Sequence, residues 1–110
     1  MTSFKQYNDM IEEFDANTLL QQLGGRKFIA MTGAKDLVVS REEKWLGFKI
    51  GRNSKGINYV KIYYKPDDTY TMEFGRFRKF NYKVINSISG VYAEALQDVF
   101  TEYTGMYTSL

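Results

Sequence analysis

At 110 residues with a net charge of +2, the chain has the length of one ordinary domain, expected to bury roughly 65% of its unfolded surface around a single sheet-and-helix core. Cysteine and histidine are both absent, which excludes disulfides, Cys/His zinc sites, thiol nucleophiles and an imidazole base. Residues 1–14 are polar and acidic and no apolar run approaches the roughly 20 residues of a membrane span, so a soluble, cytoplasmic protein without a membrane partner or cofactor is expected.

In chain order, Ser3 and Gln6 form a capping-box pattern ahead of Phe4, Tyr7, Ile11 and Phe14 at helical spacing, which predicts an amphipathic N-terminal helix. The phase breaks at Asp15, Ala16 and Asn17. Leu19, Leu20 and Leu23 then fall on a new stripe, as in a second short helix or a kinked continuation, and Gly24 and Gly25 stop it. Lys27 to Thr32 reads as a strand, Gly33 and Ala34 as a turn, Asp36 to Ser40 as a strand, and Arg41 to Lys44 as a charged turn. Trp45 to Ile50 alternates, with Leu46, Phe48 and Ile50 on one face and Trp45, Gly47 and Lys49 on the other. The run GRNSKG (residues 51–56) is a polar loop and not a phosphate cradle, since no Lys-Ser/Thr and helix follow its second glycine.

The firmest pattern is the hairpin that comes next. Val60, Ile62 and Tyr64 share one face of the first arm and Tyr70, Met72 and Phe74 one face of the second. Pairing Tyr64 with Tyr70, Ile62 with Met72 and Val60 with Phe74 leaves the loop Pro66, Asp67, Asp68, in which Pro presets φ and Asp68 tolerates a left-handed conformation. Gly75 then marks a bulge or bend, after which Arg76 to Phe80 lose clean alternation. Tyr82 and Val84 add one more strand. Tyr92, Leu96, Val99, Phe100 and Tyr103 make the stripe of a last helix that starts at Ser89 or Gly90 and ends before Gly105. The fold expected is α+β: an N-terminal helix, kinked or in two pieces, an antiparallel sheet of about five strands, and a C-terminal helix on one sheet face.

The runs GGRKFIAMTGAK (24–35), GINYVKIYYKPDDTYTMEFGR (56–76) and GVYAEALQDVFTEYTGMYTSL (90–110) resemble a family of small uncharacterised proteins of phages and mobile elements. The resemblance brings no functional residues onto this chain. It implies a setting, that of an accessory protein, and small proteins in that setting often inhibit a host defence system.

Charge is uneven along the chain: residues 41–84 carry eleven cations against five acids, whereas residues 85–110 carry three acids and no cation. The predicted sheet is therefore basic and the predicted helices acidic. Two constellations stand out as binding candidates. Tyr59, Lys61, Tyr63 and Lys65 alternate aromatic and basic on the hairpin face, the composition of a stacking platform, although Lys61 falls opposite Glu73, with which it would pair. Arg76, Phe77, Arg78, Lys79 and Phe80 set three cations around two aromatics, a patch to which Arg52, Lys55 and Lys83 would add. Each also has an ordinary structural explanation, as a solvated sheet face and as a charged strand end that deters edge pairing. A third group, Glu12, Glu13, Asp15, Glu94, Asp98 and Glu102, is too dispersed for nucleic-acid mimicry. The function expected is that of a non-enzymatic binding protein, with a host protein favoured over nucleic acid as partner. Nucleic-acid binding and a structural role in a phage particle are the alternatives, and the oligomeric state is open.

Overall fold

A computed structural model describes residues 14–108. The predicted helix from Ser3 lies outside the described residues except for its last apolar position, Phe14, which is buried and stacks on Tyr64 with ring centroids 6.4 Å apart. Helix α1 (Ala16–Leu23) begins where the apolar phase breaks, because the Asp15 carboxylate caps it: Oδ1 accepts from the Asn17 amide at 2.9 Å and from the Thr18 amide at 3.4 Å. These bonds stabilise the ionised carboxylate and hold the Asp15 pKa below its ordinary value, the Thr18 hydroxyl contributing most.

Gly24 ends α1 but does not end helical structure. It turns the chain at φ 127°, and helix α2 (Gly25–Thr32) follows at once. The sequence pattern predicts a strand there; the chain is helical because Gly25, Phe28 and Thr32, at helical spacing, are the positions that face the core. Gly33, left-handed at φ 69°, closes α2.

Five strands follow: β1 (Lys35–Ser40), β2 (Trp45–Lys49), β3 (Tyr59–Tyr64), β4 (Tyr70–Arg78) and β5 (Asn81–Val91). They form one antiparallel meander in chain order. The β3–β4 hairpin has the register that the sequence dictates, Val60 opposite Phe74, Ile62 opposite Met72 and Tyr64 opposite Tyr70. Its turn closes with the Lys65 amide donating to the Thr69 carbonyl at 2.9 Å and Asp68 at φ 66°. Pairing is irregular at Gly75, as expected, but the extra residue is Ile85 on β5, between the pairs Phe74–Asn86 and Gly75–Val84. Strand β4 consequently runs on without a break, and alternation survives through Arg78. A second irregularity sets Ser89 and Gly90 opposite the single residue Thr71, with Gly90 at φ 72°. Ser89 and Gly90 therefore belong to the strand and not to a helix start.

The last helix is entered through a 3₁₀ turn (Ala93–Ala95) and continues as α3 (Leu96–Thr104), closed by left-handed Gly105. Tyr92 precedes it and is exposed, so it drops out of the predicted stripe, whereas Leu96 and Phe100 are wholly buried. The three helices of the described residues cover one face of the sheet. Phe28 stands edge-on to Phe48 at 5.5 Å and to Phe100 at 5.0 Å, and Phe74 stacks on Tyr103 at 5.4 Å. Leu46, Val60, Ile62 and Met72 complete this layer. Burial of each such side chain contributes about 1.5–3 kcal/mol. Polar bonds tie the layer's rim together: Gln22 accepts from Tyr70 Oη at 2.9 Å and, through its carbonyl, from Gln97 Nε2 at 3.1 Å. Among the described residues no helix is long and apolar enough to cross a membrane.

Candidate functional site

Alternation along β2, β3 and β4 sends every second side chain to the face that the described helices leave uncovered. Trp45 lies opposite Tyr63, Gly47 opposite Lys61, Lys49 opposite Tyr59, and Tyr59 in turn opposite Gly75. The two glycines are cut-outs for rings. A Cβ at Gly47 would meet the Tyr59 hydroxyl at 2.5 Å, and one at Gly75 would meet the Tyr82 ring at 2.5 Å. Tyr59, Phe77 and Tyr82 accordingly lie close to the sheet as one aromatic group, with centroids 5.0 Å apart for Tyr59–Phe77 and 4.6 Å for Phe77–Tyr82. Trp45 and Tyr63 form a second group at 6.3 Å.

The polar atoms on this face decide its electrostatics. Glu73 faces Lys61 across the hairpin, as the sequence predicts, but the expected ion pair is not made. Glu73 Oε2 accepts instead from Tyr82 Oη at 2.8 Å. The Lys61 ammonium rests over the Trp45 ring at 4.2 Å and also lies 5.7 Å from the Tyr63 centroid, with Lys65 at 5.5 Å from the same ring. Burial, and then the bond to Glu73, push the Tyr82 pKa far above the ordinary tyrosine value; burial also raises that of Tyr59. Both rings are thus uncharged at any physiological pH. The indole Nε1 of Trp45 donates to Glu43 Oε1 at 3.0 Å, which fixes its ring plane.

Of the residues that the sequence singles out, Lys61 and Tyr63 are half-buried on this face and Lys65 is exposed at its end. Tyr59 is not an exposed platform: it is buried beneath Phe77 and Tyr82, because the glycine beside it lets the ring lie down. The expected cluster of cations around Phe77 and Phe80 is also rearranged. With alternation intact, Phe77 pairs with Tyr82 on the open face, while Arg76 pairs with Lys83 and Arg78 with Asn81 on the reverse. Arg76 Nε donates to the Gly56 carbonyl at 2.7 Å, so this cation is partly spent on the loop that carries exposed Arg52 and Lys55. That loop is shaped by Asn53, whose amide bonds the carbonyls of Gly51 and Ile57 and the amides of Lys55 and Ile57. Of the dispersed acids, Asp15, Glu94, Asp98 and Glu102 are exposed, and Glu12 and Glu13 lie outside the described residues.

Sequence reasoning passes over Trp45 and Tyr82 as site residues, although the alternation that assigns Trp45 to the face opposite Leu46 was enough to find the first. It also passes over a cleft of about 280 Å³ at the end of the sheet, lined by Lys35, Lys49, Ile50, Asn58, Phe77 and Lys79. Asn58 shapes it by pairing with the Phe77 backbone, accepting from its amide at 2.7 Å and donating to its carbonyl at 2.9 Å. Three cations and an aromatic edge converge there. Comparison of the chain with protein-family models, curated proteins and solved structures gave no match.

Proposed function

We propose that the open sheet face binds single-stranded nucleic acid, stacking bases on Trp45, Tyr63 and Phe77 and holding phosphates with Lys35, Lys49, Lys61 and Lys79. The observation that carries this reading is the position of Lys61, which rests on an aromatic ring while Glu73 bonds Tyr82. Trp45 and Lys61 are both half-buried, and a cation over such a ring contributes about 0.5–2 kcal/mol. Stacking of a base on such a ring contributes about 1–3 kcal/mol. A base that stacks on Trp45 takes the place of the ammonium, and the freed Lys61 is left beside the ring where the next phosphate passes. The ion pair between Lys49 and Asp36, 3.3 Å apart and well exposed, is of the kind that contributes little and opens readily.

Trp45 is the chain's only tryptophan, so its fluorescence reports stacking directly. Titration with a single-stranded oligonucleotide should quench it, with Kd below about 10⁻⁶ M at physiological salt. Tyr63→Ala should cost about 1–3 kcal/mol and leave the salt dependence nearly alone. Lys49→Ala should lower the log–log salt slope by about 0.7. Absence of quenching, with no oligonucleotide bound tighter than non-specific contact, would overturn the proposal. Capture of a nuclease-resistant protein that Tyr63→Ala or Phe77→Ala abolishes would then assign the face to the host-protein partner, since Tyr is favoured at protein interfaces.

A further inference from the structure

Strand β3 ends its ladder at Tyr59–Gly75, so beyond Gly75 strand β4 pairs with β5 alone, its other edge being held as far as Phe77 by the Asn58 side chain. Residues 76–83 form a two-stranded arm that extends past the end of β3, tied at its base through Arg76 and Phe77, and at about 3.4 Å per residue its tip stands about 15 Å past Gly75. The tip is poorly suited to mere chain reversal. Two-residue hairpin loops favour Asn-Gly or Asp-Gly, but here the loop is Lys79 and Phe80, with Lys79 forced to φ 57°. Phe80 is wholly exposed, at 102%. Neither choice stabilises the hairpin, and backbone strain held at a turn tip beside four cations points to contact with something outside the chain.

The arm has two unlike sides. Phe77 and Tyr82 face the same way as the open sheet face, and Arg78 and Lys83 face the reverse. Residues 76–84 carry four cations and no acid. A ligand that matches this arm offers a flat apolar surface at the tip and phosphates on both sides of it. The end of a nucleic-acid duplex has that form where its strands part.

We infer that this arm directs the protein to junctions between single-stranded and double-stranded nucleic acid: one strand runs along the open face, Phe80 stacks on the last base pair, and Arg78 and Lys83 hold the phosphates of the complementary strand. A stacked aromatic at a parted step is a recognised way to open or kink a duplex. The inference rests on the proposed single-strand binding and deepens it by naming the substrate class.

The test compares a forked oligonucleotide with a single strand of equal length and a blunt duplex, by anisotropy and by 2-aminopurine fluorescence at the junction. The fork should bind at least about tenfold tighter than either, a step of about 1.4 kcal/mol. Phe80→Ala should abolish the 2-aminopurine response and leave single-strand affinity and Trp45 quenching unchanged, and adding Arg78→Ala and Lys83→Ala to it should bring fork affinity within about twofold of the single strand. Because Phe80 touches solvent only, this variant folds as the parent does. Equal affinity for fork and single strand, or a 2-aminopurine response that survives Phe80→Ala, would overturn the arm's role and leave the open-face reading standing. Fork binding that depends on Phe80 without any single-strand binding would keep the arm and overturn the open face. Binding to neither would overturn both.

Discussion

The same three central strands present two faces, and the two are aromatic to a similar degree. The covered face holds Phe48 and Phe74 among Leu46, Val60, Ile62 and Met72, all wholly or almost wholly buried. The open face holds Trp45, Tyr59, Tyr63 and Phe77, joined by Tyr82 from β5, with lysines between them. The difference lies in the tips of the rings. At the centre of the covered face Phe48 and Phe74 end in carbon and meet other carbon, while the hydroxyls of Tyr70 and Tyr64 lie towards its rim, where they donate to Gln22 and Asp68. On the open face four of the five carry a hydroxyl or an N–H, and those of Trp45 and Tyr82 reach carboxylates at the surface. Such rings offer apolar surface while tolerating water, which suits a face that exchanges solvent for a ligand. Aromatic content alone does not separate core from surface; what differs is whether the polar handles lie across the face or at its rim.

The sharpest way to break the comparison is to truncate one ring on each side. Phe74→Ala should cost about 3–5 kcal/mol and lower the thermal midpoint by many degrees. Tyr63→Ala should move the midpoint little. If the two variants melt alike, the open face is a second core and not a binding surface. A smaller effect is expected where the open face fits most tightly. Gly75→Ala should destabilise by about 1–3 kcal/mol, because the new methyl collides with the Tyr82 ring. Adding Tyr82→Ala to it should recover part of that loss, and strictly additive costs in urea unfolding would mean that the cut-out has no role.

Asp68 tests the hairpin that both faces share. Asp68→Val should cost about 1–2 kcal/mol, since a β-branched residue is forced to φ 66°. Asp68→Gly removes that strain but also the bond from Tyr64 Oη at 2.7 Å, so it should fall close to the parent. Equal urea midpoints for the two variants would refute the turn geometry. The smallest effect is linked to pH. An unfolded tyrosine titrates near 10, whereas folded Tyr82 holds its proton to higher pH. The folded state therefore binds more protons above pH 10, so this contribution to stability is complete below about pH 10 and is lost progressively above it. Tyr82→Phe should flatten the decline of the urea midpoint between pH 9 and 11, and Tyr59 and Tyr70, whose pKa values burial also raises, should sustain what remains. A decline of unchanged steepness would mean that Tyr82 ionises as freely in the fold as outside it.

Where one face is buried, the fold was legible residue by residue. The β3–β4 register follows from alternation and turn chemistry together, since a one-residue slip would expose Val60, Ile62 and Met72 at once. Where that contrast fails, so does the reading. Strand β5 is an edge strand with most of its side chains exposed, and no alternation marks the length of NYKVINSISGV. Helix α2 was read as a strand because two of its three buried positions are Gly25 and Thr32, which a search for apolar periodicity passes over. In the site, the hairpin's own Lys61 and Tyr63 were found. Trp45 and the cleft lysines were not grouped with them, because β2, β3 and the arm meet only through sheet order, which linear spacing does not reveal.

The meander has a consequence for how the molecule is made. Every strand pairs with its sequence neighbour, so no pairing waits for a distant segment, and topologies of this kind fold fast for β structure. During synthesis at about 5–20 residues per second the sheet can zip up strand by strand as it leaves the ribosome. Its last cover, Leu96–Thr104, is made only after all five strands. Until then Phe74 and Met72 lack part of their shelter, and the nascent chain passes through a stage in which the apolar face is the sticky one and the aromatic face the safe one.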